Sequence, residues 1–262
     1  MKQDAIELEE GRLQGVEDLS DYRIFKERHR VFPAVFERRQ HCRILDMAAG
    51  VGCAAERIHA HYPADLVCND ISPTCLKVLG KLGLQTVSFD LDDPETPYPF
   101  PGGDFDAVIS LVTIEHIFHV EHLLQETYRI LKDGGYLYIA TPNYSAPEYL
   151  VQPLLFGRTF HDPLVEDSRY EFYAHIRYLT YRTLIDLLRA SGFVPDTVYL
   201  ALPAGSTRYK ALYAASSIKA LGYRYARWLE FHLLPVHWAA EPIVCCQKTT
   251  TGKDRRLRRV VL

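Results

Sequence analysis

Short apolar runs alternate with longer amphipathic stretches along most of the chain, and this alternation predicts strands separated by helices. The first unit is a strand at residues 43–47, a glycine-containing turn, a helix, and a second strand at 65–70. Ser72-Pro73 begin the next helix, because proline is well tolerated in the first helical turn. Further strands are predicted at residues 85–89, 105–110, 136–140, 194–202 and 241–248, and further helices at 20–40, 120–131 and 180–190.

Repeated strand–helix units predict a parallel sheet covered by helices on both faces. The expected fold class is α/β, a Rossmann-like, doubly wound sheet of seven mostly parallel strands with helical insertions. We predict an N-terminal helical cap (1–40), a ligand-binding main domain (41–250) and a basic, solvated C-terminal tail (251–262). Two stretches interrupt the alternation, at about 144–177 and 207–238. Long insertions of this kind commonly form lids or binding loops.

Composition and charge narrow the classes of partner. Of the 262 residues 48% are hydrophobic, and the formal net charge is -3, which lacks the basic excess typical of nucleic-acid binders. The first thirty residues contain no apolar segment of a signal peptide, and no run of eighteen apolar residues predicts a membrane span. The six cysteines include no CxxC pair. We therefore expect a cytoplasmic protein that binds no nucleic acid.

The turn after the first strand has the residues that a nucleotide cofactor requires. It reads DMAAGVG over residues 46–52. Small residues let the backbone approach a ligand, and the N-terminus of the following helix attracts anions. Ligands of such sheets bind beyond the carboxyl ends of the strands. Asp70 ends the second strand there, and its carboxylate can accept two hydrogen bonds from ribose hydroxyls.

Two cofactors are compatible with this turn. Residues 50–55 (GVGCAA) satisfy the GxGxxA form of the dinucleotide fingerprint, with an acid about twenty residues further on, which indicates an NAD-linked oxidoreductase. Asp46 lies just before the turn, where a carboxylate favours the ammonium group of S-adenosylmethionine (SAM). The downstream segments also favour SAM.

Several segments resemble class I SAM-dependent methyltransferases. Residues 43–52 (RILDMAAGVG) are similar to the first motif of that family, an acid followed by GxGxG. Residues 105–143 resemble the segment from the fourth to the fifth strand in the branch that contains ubiquinone-biosynthesis O-methyltransferases and many sugar and natural-product methyltransferases. Residues 175–180 and 191–193 resemble the same branch. The resemblance implies SAM as the methyl donor and S-adenosylhomocysteine as the product.

The resemblance also implies roles for individual residues. Asp46 would face the methionine amino group, Asp70 would hold the ribose, and Asp90 would approach the adenine amino group. Ala48 stands where the family usually has its first glycine, and alanine disfavours a positive φ. Because of this departure, a second alternative stays open, namely a module that has the SAM-binding fold but does not catalyse methyl transfer. The other residues implied at the cofactor are Gly50 and Gly52 along the methionine, Ile71 and Leu91 beside the adenine, and Leu111 after the fourth strand.

His116 is the predicted catalytic residue. A hydroxyl acceptor needs a base, and histidine suits neutral pH. His116 follows the fourth strand, at the end of the sheet where the methyl group would lie. His161 and His175, in the first insertion, are predicted to bind the acceptor. Residues 110–113 (SLVT) lack the (N/D/S)PP(Y/F/W) motif of amino methyltransferases, and no metal site is predicted.

The acceptor is expected to be a small molecule, with sugars, glycan precursors, quinones and polyketide-like natural products all open. Residues 207–238 are predicted to form a helical cover over the acceptor side of the cleft, because they are rich in tyrosine and include Trp228. The basic side chains there leave open a peripheral membrane contact or a carrier-linked substrate, and packing on a second subunit would make a homodimer. These basic residues include Lys210, Lys219, Arg224 and Arg227.

Overall fold

The computed structural model describes residues 2–249 and 256–262. The α-helices are α1 (Lys2–Arg12), α2 (Glu27–Arg30), α3 (Cys53–His61), α4 (Pro73–Lys81), α5 (Val120–Ile130), α6 (Pro147–Phe156), α7 (Glu166–Ala174), α8 (Tyr181–Ala190), α9 (Thr207–Ala215) and α10 (Ser217–Leu233). The strands are β1 (Arg43–Met47), β2 (Asp65–Asn69), β3 (Gln85–Val87), β4 (Phe105–Leu111), β5 (Leu131–Ala140), β6 (Phe193–Leu200), β7 (Ile243–Lys248) and β8 (Arg258–Val261).

The strands lie in one sheet, in the order β3-β2-β1-β4-β5-β7-β6-β8. Neighbouring strands are parallel except where β7 pairs with β5 and β6. The chain proceeds outward from β1 to β3 and then returns to start β4 on the other side of β1. This reversal is the topological switch beside which open α/β sheets bind ligands. The predicted α/β class is confirmed, with eight strands in the described residues where we predicted seven.

The additional strand, β8, lies in the segment predicted to be a solvated tail. It pairs in parallel with β6, and the pairing continues where Leu202 N donates to Leu262 O and Leu262 N donates to Leu200 O. The tail prediction is wrong for residues 258–261, because the unpaired edge of β6 offers backbone groups that a further strand can satisfy. Residues 251–255 of the predicted tail, which include Arg255, lie outside the described residues.

The predicted helix over residues 20–40 is also wrong, since the structure forms only α2 and two short 3-10 turns there. Thr207 explains the interruption: its Oγ1 accepts a hydrogen bond from Phe25 N at 2.9 Å and donates to Arg23 O at 2.7 Å. Pro33 further interrupts a helix, because proline has no N–H to donate. The longest helix of this N-terminal region is α1, which we did not predict. The division between cap and main domain stays a prediction.

Apolar side chains cover both faces of the sheet because successive residues of a strand point to opposite sides. Leu45 and Leu137 belong to one buried cluster, whereas Ile44 and Tyr138 belong to the other. The helices that bury these two faces leave the carboxyl ends of β1, β2, β4 and β5 to the connecting loops. The candidate site is therefore expected at this end of the sheet.

Candidate active site

The turn between β1 and α3 relies on left-handed backbone conformations. Gly50 has φ 59 and Gly52 has φ 88. A Cβ atom on Gly52 would lie 2.9 Å from Leu79 Cδ2, so glycine there allows α3 to pack closely on α4. A Cβ atom on Gly50 would meet nothing within 4 Å. Ala48 adopts φ 50, so alanine follows the left-handed path that glycine takes more easily, at a cost of about 1–2 kcal/mol.

Asp70 joins the end of β2 to this turn. Its Oδ2 accepts a hydrogen bond from Gly50 N at 2.8 Å, and its Oδ1 accepts one from Ser72 N at 2.9 Å. Burial raises the pKa of the Asp70 carboxyl, although these backbone N–H groups act to lower it. The structure thus brings Asp70 and Gly50 together, with Ile71 partly exposed next to them. Each carboxylate oxygen can still accept a further hydrogen bond.

The burial and the charge of the Asp46 carboxyl group are compatible with binding the ammonium group of SAM. The side chain is buried, and burial, together with the negative charge of Asp70, raises the pKa of the Asp46 carboxyl to about 7. Within the described residues no hydrogen bond or cation compensates the Asp46 carboxylate. A buried anion without a partner is costly, and a cationic ligand group at this point supplies the missing charge. The residues present are therefore compatible with SAM.

The loop after β3 holds two of the residues predicted to contact adenine, Asp90 and Leu91. Asp90 Oδ1 accepts a hydrogen bond from Asp92 N at 3.0 Å, so this carboxylate stabilises a turn. Leu91 is buried in the apolar cluster. Asn69 Nδ2 donates to Phe89 O at 3.1 Å and ties this loop to the end of β2. Leu111, at the end of β4, is partly exposed. Contact of Asp90, Leu91 and Leu111 with the cofactor stays a prediction.

Helix α1 lies against this cleft, and nothing in the sequence pattern indicated it. Glu10 accepts hydrogen bonds from Ser72 Oγ and from Thr74 Oγ1, the latter at 2.7 Å. Although burial acts to raise the pKa of Glu10, these hydrogen bonds lower it. Glu9 accepts a hydrogen bond from Tyr170 OH at 2.9 Å. Helix α1 therefore connects the start of α4 with α7, beside the Asp70 end of the site.

His116 lies in a 3-10 turn, Ile114–His116, that follows β4. Its Nδ1 is 2.9 Å from Ala174 O. Because a carbonyl oxygen can only accept, Nδ1 carries the proton and Nε2 keeps a free lone pair. The ring packs edge-on against His175, with centroids 4.8 Å apart, and burial lowers the pKa of His116. Ala174 O is a partner that sequence alone did not reveal.

The two other predicted histidines join the same cluster through a tyrosine. Tyr144 OH lies 2.8 Å from His161 Nε2 and 2.9 Å from His175 Nδ1. Burial lowers the pKa of both histidines, that of His175 to about 3. The described hydrogen-bond partners of the His116 and His175 side chains, Ala174 and Tyr144, both come from residues 144–177. The first insertion thus supplies the surroundings of His116.

Glu115 completes this cluster and was not singled out from the sequence. Its side chain is fully buried, and Oε2 accepts a hydrogen bond from Thr141 Oγ1 at 3.0 Å. Oε1 has no hydrogen-bond partner in the described part of the chain. Burial raises the pKa of the Glu115 carboxyl to about 8. Glu115, His116 and His175 each offer one metal-ligand atom within 4.8 Å of the others, although no metal site was predicted.

The backbone between β4 and this cluster is strained. Val112 has φ 59, a conformation that β-branched residues rarely adopt and that occurs mainly at functional sites. The buried hydroxyls of Ser110 and Thr113 lack hydrogen-bond partners among residues 2–249 and 256–262. Buried polar groups that lack partners in the described chain therefore cluster at the end of β4 and in the turn that follows it.

The second insertion forms α9 and α10, as its composition predicted, and some of its basic side chains are engaged within the chain. Arg227 Nη2 forms an ion pair with Glu148 of α6 at 2.7 Å, and Arg224 Nη1 donates to Pro203 O at 2.8 Å. Lys210 and Lys219 are exposed. None of the helices in the described ranges has the length and hydropathy needed to cross a bilayer.

Comparison with known proteins identifies the family. The family model for a methyltransferase domain matches residues 17–198, more than half of the chain. A ubiquinone biosynthesis O-methyltransferase of Xanthomonas oryzae is 30% identical over 104 residues, which are 38% of this chain and 43% of that protein. The chain thus matches less than half the length of this relative.

Solved structures share the fold. A SAM-dependent methyltransferase from Mesorhizobium loti has a TM-score of 0.56 at 19% identity, covering 85% of this chain and 98% of that one. Phosphoethanolamine N-methyltransferase 2 from Haemonchus contortus, in complex with SAM, has a TM-score of 0.54 at 17% identity, covering 85% of this chain and 52% of that one. Family membership decides in favour of SAM over NAD as the cofactor. The chain belongs to the methyltransferase-domain family.

Proposed function

We propose that this enzyme methylates a hydroxyl oxygen of a small molecule, such as a sugar, a glycan precursor or a natural product, and that His116 activates the hydroxyl. The orientation of the His116 ring carries this proposal. Nδ1 is engaged with Ala174 O, so the Nε2 lone pair is available at the carboxyl end of β4, next to the turn after β1. When bound, SAM supplies the electrophilic methyl group.

The chain's own residues would bind and orient the reactants. Asp46 pairs with the methionine ammonium group and Asp70 accepts hydrogen bonds from the ribose, which directs the reacting end of the cofactor toward β4. His116 Nε2 is the group that activates the acceptor hydroxyl. Alignment of the acceptor oxygen with the methyl group supplies much of the acceleration, because it removes the entropic cost of a bimolecular encounter.

The surroundings of His116 support a ring-bearing acceptor. Tyr170 and His175 place their rings 6.3 Å and 4.8 Å from that of His116. Flat side chains of this kind pack well against the faces of sugar and quinone rings. The Xanthomonas relative is named for O-methylation in ubiquinone biosynthesis, which supports oxygen as the acceptor atom. His161 would contribute to acceptor binding through Tyr144.

An activity screen with a matched variant tests this function. Release of S-adenosylhomocysteine is measured with hydroxylated sugars, hydroquinones and polyketides, and with amines for comparison. His116→Gln should lower kcat by roughly 10²–10⁴ and leave SAM affinity unchanged. His119→Gln is the control, because His119 is an exposed histidine in the same loop that pairs with Asp92. Methylation of amines alone, or a loss that lies wholly in the acceptor KM, would contradict the proposal.

We infer further that the acceptor is reached at an anionic membrane surface. The apolar side chains in the last two turns of helix α6 are exposed, and Leu154 is 81% exposed. The basic side chains of Arg158, Lys210 and Lys219 are also exposed, so they can contact lipid phosphates. We call the following exposed side chains the apolar surface: Leu150, Val151, Leu154, Leu155 and Phe156 of α6, and Ile218, Leu221, Tyr225 and Trp228 of α10.

A homodimer, a cytoplasmic location and a cover formed by residues 207–238 stay predictions.

A further inference from the structure

We propose that Glu115, His116 and His175 bind a divalent transition-metal ion, with Zn²⁺ as the reference ion. Their ligand atoms lie within 4.8 Å of one another. Ligands bound tetrahedrally at about 2.0–2.2 Å lie about 3.3–3.6 Å apart, so binding draws the widest pair together by up to about 1.5 Å. Two imidazoles and one carboxylate form a ligand set of divalent transition ions, and three protein ligands leave coordination positions open for a substrate.

Hydrogen bonds on the far side of both rings support this assignment. Metal-binding histidines usually donate their second ring N–H to a carbonyl or another acceptor, which orients the ring. His116 Nδ1 donates to Ala174 O in this way. His175 Nδ1 can donate to Tyr144 OH, which in turn donates to His161 Nε2. Every donor in this series of hydrogen bonds then has one acceptor. The Nε2 atoms of His116 and His175 both keep their lone pairs for an ion.

The third ligand supplies an independent observation. Glu115 is fully buried, yet its Oε1 atom has no hydrogen-bond partner within the residues that the structure describes. Buried carboxylate oxygens are ordinarily paired, because an isolated one costs several kcal/mol. The other oxygen is occupied by Thr141, which orients the carboxylate. A bound cation would satisfy Oε1, and the partly exposed His116 leaves a route by which the ion can enter.

The role of this ion in catalysis rests on the proposed function, whereas its binding does not. An acceptor hydroxyl on an open coordination position becomes more acidic, as metal-bound water does. Its O–H bond breaks and the proton passes to water, and the oxygen would bond to the methyl carbon as the methyl–sulfur bond of SAM breaks and S-adenosylhomocysteine leaves. His116 then activates the acceptor by holding the ion, and His175 contributes to acceptor binding in the same way.

Metal binding is measured on the full chain without reference to activity. After chelator treatment, the protein is dialysed against Zn²⁺, and Co²⁺ is added separately so that its visible absorption reports the ligands. We expect one ion per chain and no comparable binding of Mg²⁺, which prefers oxygen ligands. Glu115→Gln, His116→Gln and His175→Gln should each weaken Zn²⁺ binding at least tenfold. Tyr144→Phe should weaken it by about 10–100-fold, and His119→Gln should leave it unchanged.

SAM affinity of each variant shows whether it is folded. Substoichiometric Zn²⁺ in wild-type protein, or unchanged affinity in the three ligand variants, would overturn the metal site. If methylation of a hydroxyl still required His116 in that case, the proposed function would stand, with Nε2 taking the proton directly. If one ion bound as expected but only amines were methylated, the metal site would stand and the proposed acceptor class would be wrong.

Discussion

The backbone N–H of Gly50 donates to Asp70 Oδ2 at 2.8 Å, so the turn after β1 and the end of β2 hold each other in position. The same carboxylate also accepts Ser72 N, which fixes the start of α4. A side chain that orders two backbone segments and keeps free lone pairs is already oriented before a ligand arrives. This preorganisation reduces the entropy lost on binding.

Replacing Asp70 should therefore weaken the binding of SAM strongly. Charge-assisted hydrogen bonds contribute on the order of 1.5–3 kcal/mol each, so Asp70→Ala should lower SAM affinity at least tenfold by calorimetry. The control is Asp65→Ala at the opposite end of β2, where the carboxylate pairs with Arg43 on the surface. Equal SAM affinity in wild type and a folded Asp70→Ala variant would rule out the ribose contact.

SAM binding should depend on pH through Asp46. Because burial and the charge of Asp70 raise the pKa of Asp46 to about 7, the free protein holds this carboxyl largely neutral below that pH. Only the ionised form attracts an ammonium group, so affinity should be full above pH 7 and fall by up to about tenfold per pH unit below it. Asp46→Asn should bind weakly with a flat profile. A wild-type profile as flat as that of Asp46→Asn would count against the pairing.

The left-handed Ala48 should make the turn less stable than glycine would. Ala48→Gly removes a strain of about 1–2 kcal/mol but adds freedom to the unfolded chain, so we expect a net gain of up to about 1 kcal/mol in the free energy of unfolding. Urea denaturation measures it. Ala49→Gly, at a neighbour without positive φ, should instead lose about 0.5–1 kcal/mol. Equal losses in both variants would show that Ala48 carries no strain.

Strand β8 should contribute to stability by covering the edge of β6. A chain truncated before residue 256 should melt at a lower temperature and aggregate on heating, since it exposes unpaired backbone groups. Arg258→Ala keeps the strand and removes a half-exposed ion pair with Glu37 and a hydrogen bond to Thr197 Oγ1, so it should cost about 1 kcal/mol. Similar melting temperatures for the truncated and full chains would mean that β8 pairs only weakly.

The apolar surface should bind anionic vesicles. Sedimentation with vesicles containing phosphatidylserine should carry down wild-type protein, whereas vesicles of phosphatidylcholine alone should carry down much less. The double variant Leu154→Ser, Leu155→Ser should lose this binding, and Leu164→Ser, at an exposed leucine outside α6, should retain it. A double variant that still binds vesicles, or that changes the molecular mass in solution instead, would contradict the membrane contact.

Much of the sheet was predictable because its signals are local. β1 spans the predicted residues 43–47, since an apolar run that ends in a glycine turn contains its own start and stop. Ser72 and Thr180 cap α4 and α8 at the positions where sequence placed the helix starts. Asp46 and Asp70 could also be singled out as candidates, because Asp46 lies near the end of β1 and Asp70 directly follows β2.

The surroundings of His116 could be decided only by tertiary structure. Ala174 is 58 residues away from His116 in sequence, and Tyr144 joins two histidines of the first insertion without any motif. The interruption of the predicted helix at residues 20–40 depends likewise on Thr207, 182 residues after Phe25. Hydrogen bonds between distant segments leave no period in the sequence, whereas burial of one face of a strand or helix does.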